Sequence, residues 1–336
     1  MRAIFVVIVN YRTASLVLDC LESLSSMRSD LRGGRVVVVD NDSRDGSVGA
    51  IQAGIVAAAW SGWAEVVPLP RNGGFAYGNN AAIERALQLD ADLATVVLLN
   101  PDTIVKPGAL AHLVGHLDQH PSVGIVGARI ENEAGAPEVS AHTMPSPLGE
   151  LEATARWGLL TRLLAAYAVS QPPRDADHAC DWVSGACMAV RREVLDAVGP
   201  LDEGYFLYYE EVDFCFRAKR AGWSCWFVPE ARVVHFEGAS TGIRVARRRR
   251  PGYWYASRRR FFVKSYGVSG LLAADLLWAV GRCSLVCRRA LGLGGRGTED
   301  QEPSWFAFDL LWGDLKAVFN GELWAVSRRS AILHGT

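Results

Sequence analysis

Several short stretches of this 336-residue chain place polar side chains where chemistry can use them. In Leu98-Leu99-Asn100-Pro101-Asp102 an amide and a carboxylate follow the apolar run Thr95 to Leu99. A carboxylate at a strand end can hold a divalent cation against a diphosphate, whereas an ordinary turn would use Asn100 and Asp102 only to bond the backbone. In Tyr209-Glu210-Glu211-Val212-Asp213 three carboxylates follow an aromatic cluster that starts at Phe206. On a helix begun near Glu210, Glu210 and Asp213 share a face and support Arg217, while Glu211 points elsewhere. The aromatic wall would desolvate Glu211 and raise its pKa toward that of a useful base; the helix dipole also favours acids in a first turn without any catalytic role. In Asn72-Gly73-Gly74-Phe75 two glycines would let the backbone approach a ligand, with Asn79 and Asn80 near a helix start, or they make a plain glycine turn with an asparagine cap. His235 closes a strand, as Asp102 follows one, although a lone histidine is more often structural.

The elements that must position these residues follow from periodicity. Ile4 to Val9 reads as a buried first strand rather than a signal peptide, because the run is short, β-branched and ends in Asn10-Tyr11-Arg12 without a small-residue cleavage site. Ser15 to Leu24 has helical spacing, Val36 to Val39 is a second strand ending in Asp40-Asn41-Asp42-Ser43, and Glu65 to Val67 is a third. A helix from about Gly78 to Leu89 leads into strand 95–99, so the expected order is β-α-β-β-α-β, a nucleotide-binding sheet with its polar residues at strand ends. Further expectations are a strand from Val123 to Ala128, a helix from Leu148 to Leu164, a strand through Trp182-Val183-Ser184-Gly185-Ala186 to Val190, and a strand pair Ser224 to Val228 and Arg232 to Val234. No GxGxxG follows the first strand and no GxxxxGK[ST] loop occurs, which argues against dehydrogenases and P-loop NTPases.

Half of the residues are hydrophobic, and 35 basic residues against 36 acidic ones give no case for nucleic acid. Seven cysteines without paired CxxC spacing read as reduced packing residues of a cytoplasmic protein. Charge is uneven along the chain: between Arg244 and Arg296 stand twelve arginines and one lysine against the single acid Asp275. The run Arg247 to Arg250 beside Tyr253-Trp254-Tyr255 suits an anionic membrane surface. In Leu271 to Ala290, Asp275, Arg282 and Arg289 recur every seven positions, leaving Leu272, Leu276, Cys283 and Val286 on another face, too interrupted for a spanning helix. Trp305, Phe308, Trp312, Leu315 and Phe319 form a second stripe, suited to the membrane surface, to the catalytic domain or to a homodimer partner.

In order along the chain, Val9-Asn10-Tyr11, Asp40-Asn41-Asp42-Ser43, Asn72-Gly73-Gly74-Phe75, Asn100-Pro101-Asp102, Trp182-Val183-Ser184-Gly185-Ala186, Tyr209-Glu210-Glu211-Val212-Asp213 and His235 resemble the inverting GT-A glycosyltransferases of family 2, in their rhamnosyltransferase-like branch. The resemblance implies an α/β fold, a Rossmann-like mixed sheet flanked by helices, as a catalytic domain over 1–241, with a basic, amphipathic helical region over 242–336. It implies that Asn10, Tyr11, Asp40 and Asn41 cradle base and ribose, and that Val9, Ser43, Asn72, Gly73, Gly74, Asn79, Asn100 and Asp102 line the nucleotide sugar. Trp182, Ser184 and Gly185 would meet the acceptor. Asp102, with His235, would bind a divalent cation, Mn²⁺ or Mg²⁺, and Glu211 would be the base, with Glu210 as the alternative. Two positions depart from the family pattern: Asn100 stands for the first aspartate of its DxD motif, and Glu211 for an aspartate. The implied reaction moves a sugar, L-rhamnose from dTDP-L-rhamnose, onto a lipid-linked or cell-envelope glycan at the inner face of the membrane. A UDP-hexose donor on the same fold and an inactive carbohydrate-binding scaffold are the competing readings.

Overall fold

A computed structural model describes residues 2–236, 249–293, 303, 305–321 and 323. Glu237 to Thr241, Arg244, Arg247, Arg248 and Arg296 lie outside the described residues. In chain order the elements are β1 (Ile4–Asn10), α1 (Ala14–Ser25), β2 (Val36–Asp40), α2 (Ser47–Ala57), β3 (Ala64–Pro68), α3 (Gly74–Leu89), β4 (Thr95–Leu99), β5 (Thr103–Val105), α4 (Ala109–Gln119), β6 (Val123–Glu131) and β7 (Ala141–His142). There follow α5 (Pro147–Ala155), α6 (Gly158–Leu163), β8 (His178–Cys180), β9 (Trp182–Val183), β10 (Cys187–Arg191), α7 (Arg192–Val198), α8 (Glu210–Arg220), β11 (Ser224–His235), α9 (Gly252–Ala290) and α10 (Phe306–Phe319).

The chain divides into two compact units, the first made of Met1–His142, Gln171–Phe206 and Glu210–Gly242. Its sheet runs β3-β2-β1-β4-β10-β6-β11-β5, with β8 on β11. The strands β1, β2 and β4 are apolar runs buried along their length, as parallel strands covered on both faces are. Alternate residues of β1 feed the two cores: Ile4, Val6 and Ile8 pack with α1, α2 and α4, and Phe5, Val7 and Val9 with α3, α7 and α8. β1 pairs in parallel with β2 on one side and β4 on the other, so Asn10, Asp40 and Leu99 end together at the crevice such sheets offer to ligands. β10 enters antiparallel between β4 and β6. That direction sets Cys187 opposite Leu99 and returns the Ser184–Ala186 turn to the same edge.

Four expectations change. Helix α2 makes the first half a regular strand–helix alternation; only Ser47, Ile51 and Ile55 are buried among glycines and alanines, so no apolar stripe marked it. The expected strand from Trp182 to Val190 is two strands, β9 pairing with β7 and β10 joining the main sheet. The expected terminal strand pair is the single strand β11, parallel to β6 throughout, with a register shift between Val228 and Arg232 where Pro229 cannot donate to the ladder. The expected helix from Leu148 to Leu164 is broken at Arg156, whose φ is 44°.

The second unit comprises Thr143–Ser170, Leu207–Tyr209 and Ile243–Thr336. α9 breaks at Gly267, where φ is 73° and ψ 178°. Tyr255 and Trp278 pack against Leu310 of α10. Arg258, 1% exposed, donates to Glu150 at 3.1 Å, Asp275 at 2.8 Å and Asp314 at 3.2 Å. Asp275 thus faces inward, and Leu272 and Leu276 face out, the reverse of what an amphipathic stripe implies. By length and composition α9 is apolar enough to cross a membrane, with a third of its most apolar window buried.

Candidate active site

At the ends of β1 and β2 the side chains knot together. Asn10 Nδ2 donates to Asp40 Oδ2 at 2.6 Å, Ser43 Oγ donates to the same oxygen at 2.6 Å, and the Ser43 backbone N–H donates to Asp40 Oδ1 at 2.9 Å. Asn10 Oδ1 accepts from the backbone and hydroxyl of Thr13, just before α1. Asp40 is buried, and its carboxyl is held by neutral donors, Ser43 of its own loop and Asn10 of the neighbouring strand end. Tyr11 lies partly exposed beneath the Arg12 guanidinium, 5.0 Å from its ring centroid. Asn41 Nδ2 donates to Asn72 Oδ1 and to the Gly74 carbonyl, both at 3.0 Å, so the end of β2 fixes the glycine turn. Gly74 has φ of +89°, and a Cβ there would stand 2.1 Å from the Phe206 carbonyl oxygen. The Phe75 N–H donates to that oxygen at 2.8 Å, so this glycine allows two backbones to touch. Gly73 lies against the Tyr77 ring, and Gly78 leaves room for Val9. Asn79 is buried and donates to the Phe75 carbonyl at 2.9 Å, while Asn80 holds Leu201.

Asn100, Asp102 and His235 do meet. His235 Nε2 lies 3.2 Å from Asn100 Nδ2 and 3.1 Å from Asp102 Oδ1. Their meeting depends on β11 running antiparallel to β5, with His235 opposite Thr103 and the Phe236 N–H donating to the Asp102 carbonyl. Among the described residues, no group of three or more His, Cys, Asp or Glu is placed to hold a metal by itself.

The acidic cluster separates by role. Asp213 is buried and accepts from Tyr205 Oη at 3.1 Å and Arg217 Nε at 2.9 Å; Arg217 also donates to the carbonyls of Val198 and Pro200. Asp213 therefore braces the loop before the helix. Glu210 is buried, and burial together with the Glu211 charge pushes its pKa well up. Burial raises Glu211 to about 7. Oε2 of each glutamate has no hydrogen-bond partner among the described residues. A methyl on Gly185 would stand 3.6 Å from the Phe75 ring and 3.8 Å from Glu211 Cβ, so Gly185 faces both. The Asn100 N–H donates to the Ala186 carbonyl at 3.0 Å, which joins this group to the Asp102 loop. The Ser184 N–H donates to the Ser140 carbonyl, and Trp182 stacks on His142 at 3.9 Å between centroids. Phe75 and His142 are additions to the expected set: Phe75 sits in the first turn of α3, and the pairing of β7 with β9 sets His142 opposite Trp182. Tyr208 and Tyr209, in the expected aromatic wall, have φ of 71° and 69°, and their rings stack on Tyr253 and on Trp254 and Phe261 within the second unit.

Residues 2–254 match the family model described as Glycosyltransferase like family 2. The chain is 30% identical over 223 residues to N-acetylglucosaminyl-diphospho-decaprenol L-rhamnosyltransferase of Mycobacterium tuberculosis, covering 62% of this chain and 68% of that one. It is similar in structure to mannosyltransferase PcManGT of Pyrobaculum calidifontis in complex with GDP-Man and Mn²⁺, with a TM-score of 0.52 and 17% identity over 99% of this chain and 86% of that one. It is also similar to GalNAc-T7 with UDP, GalNAc and Mn²⁺, with a TM-score of 0.54 and 15% identity over 79% of this chain and 50% of that one, so it spans half of that protein's length. At these identities the structural likeness speaks for the fold.

Proposed function

We propose, for a chain that belongs to glycosyltransferase family 2 and is a hexosyltransferase of GT-A fold, that it moves L-rhamnose from dTDP-L-rhamnose, with inversion, onto a hydroxyl of a lipid-linked saccharide. The name of the mycobacterial relative supports L-rhamnose as the sugar and a polyprenyl-diphosphate acceptor. Such an acceptor would set the reaction at the inner face of the cell membrane.

In this reading Asn10, Tyr11, Asp40, Asn41 and Ser43 hold base and ribose. Asp40 Oδ1 accepts one bond among the described residues and keeps a lone pair for the pyrimidine imide. Asn72, Gly73, Gly74 and Asn79 carry the nucleotide past the turn that Asn41 fixes. Trp182, Ser184 and Gly185 receive the acceptor. Asp102 and His235 fit a divalent cation shared with the donor: one carboxylate and one imidazole already converge, and such an ion keeps water and phosphate oxygens in its remaining positions. When bound, that cation would neutralise charge on the departing diphosphate.

Glu211 is the single observation that carries the reading. It is a carboxyl poised at about 7 beside Gly185, with one oxygen unpartnered among the described residues. Glu211 takes the proton of the acceptor hydroxyl as that oxygen bonds the anomeric carbon and the bond to the diphosphate breaks. A panel of dTDP-, UDP- and GDP-sugars, assayed for nucleoside diphosphate release with Mn²⁺, with Mg²⁺ and with chelator, tests donor and metal together. Release from dTDP-L-rhamnose that chelator abolishes is the expected result. Release from a UDP-hexose alone would reassign the donor, and no release from any donor would leave the carbohydrate-binding scaffold.

A further inference from the structure

We propose that the second unit docks on an anionic lipid bilayer through the outer ridge of α10. Trp305, Phe308, Trp312, Leu315 and Phe319 follow one another at spacings of three and four, and all are exposed, Phe319 by 80% and Trp305 by 67%. The rings run on as a ridge, with centroids 6.0 Å apart for Trp305 and Phe308 and 6.3 Å for Phe308 and Trp312. Leu310, Asp314 and Ala317 fill the opposite, buried face, so among the described residues the ridge is surplus to the unit's own packing. Soluble surfaces rarely carry so large an apolar stripe without an occupant.

Charge selects that occupant. Asp309 is paired with Arg249, and Asp314 with Arg258 and Arg259, leaving Lys316 as the unpaired, exposed charge among the described α10 side chains. The described residues of the unit hold twelve Arg and Lys against five Asp and Glu, although the whole chain has a net charge of −1. A second copy would bring an equally cationic unit to the contact, whereas an anionic leaflet attracts it. Tryptophan and phenylalanine beside a basic flank suit the headgroup boundary, and 14 residues are too few to span. Leu272, Leu276 and Val280, exposed one turn apart on α9, offer a second apolar strip.

The proposal rests on the lipid-linked acceptor only for its purpose, and the experiment keeps the two apart. Full-length protein is sedimented with vesicles of phosphatidylcholine alone or with about one third phosphatidylglycerol, and turnover is read in parallel on a water-soluble, short-chain acceptor. The wild type should bind the anionic vesicles at least about tenfold better, and less in high salt. Trp312→Glu with Phe319→Glu should lose about tenfold in binding, and Trp312→Leu with Phe319→Leu should retain most of it, both with unchanged turnover. Equal binding by the glutamate variant and the wild type overturns the proposal. So does a wild type that ignores vesicles and forms a dimer that the glutamate variant dissolves. Vesicle binding without turnover on any donor would sink the proposed reaction and leave the docking face standing.

Discussion

Two adjacent glutamates begin α8, and their surroundings differ. Glu211 faces Gly185, and desolvation of its carboxyl raises its pKa to about 7 from the ordinary 4.5. Glu211→Gln should lower turnover at least about a hundredfold with donor binding nearly unchanged, and the wild-type rate should rise with pH through about 7. Turnover that survives in Glu211→Gln but vanishes in Glu210→Gln would move the base to Glu210. The same burial has a stability signature. Between pH 4.5 and about 7 the folded protein binds a proton at Glu211 that the unfolded chain has released, so this residue's contribution to stability falls as pH rises through that window. Above pH 7 Glu211→Gln should therefore be more stable than wild type, by about 1–3 kcal/mol in urea denaturation, and the difference should vanish below pH 4. At the other group, Asp102→Asn should weaken metal-dependent donor binding, read by titration calorimetry with and without Mn²⁺; unchanged metal dependence would remove Asp102 from that role.

Among the elements, the antiparallel insertion of β10 does most to assemble the site. Cys187 pairs with Leu99, so the turn before β10 meets the turn after β4, and Ala186 bonds Asn100 across 86 positions of sequence. The glycine turn into α3 is the second device. Gly74→Ala would place a methyl 2.1 Å from a backbone oxygen at a φ of +89°, so neither side can yield cheaply. A loss of at least about 2 kcal/mol is expected in urea denaturation, with a raised KM for the donor. A variant of wild-type stability would show that the loop moves freely. Helix α2 and the unbroken β11 escaped the periodicity argument for opposite reasons. The first buries too few side chains to make a stripe, and the second is interrupted at Pro229 by a register shift yet resumes parallel pairing with β6 beyond it.

Across the whole molecule, charge is balanced in sum and divided in place. The second unit concentrates cations, and Arg258 in its interior gathers three carboxylates from α5, α9 and α10. Burial opposes the charge on Arg258, yet the facing carboxylates raise its pKa; burial lifts Asp275 to about 7 against the pull of Arg258. Arg258→Met would leave those acids packed together without their shared cation, and should destabilise the second unit by about 3–5 kcal/mol in thermal or urea unfolding. A Tm within a degree or two of wild type would mean that water or Arg259 compensates.

Sequence by itself determined the class of this protein and most of its candidate residues. Buried strands are short apolar runs, and a polar residue that closes one is visible without coordinates, as with Asn10, Asp40, Asn100, Asp102 and His235. Only the tertiary structure decided which of these meet. His235 stands 133 residues from Asp102, and the direction of β11 relative to β5 brings them together. It also turned Asp213 into a brace, set Gly185 against Phe75 and Glu211, and reversed part of α9, where Asp275 points inward to Arg258 while Leu272 and Leu276 face out. The reason is physical: spacing along a chain reports which side chains share a face, but what that face meets depends on strand order and burial, which are settled by contacts distant in sequence.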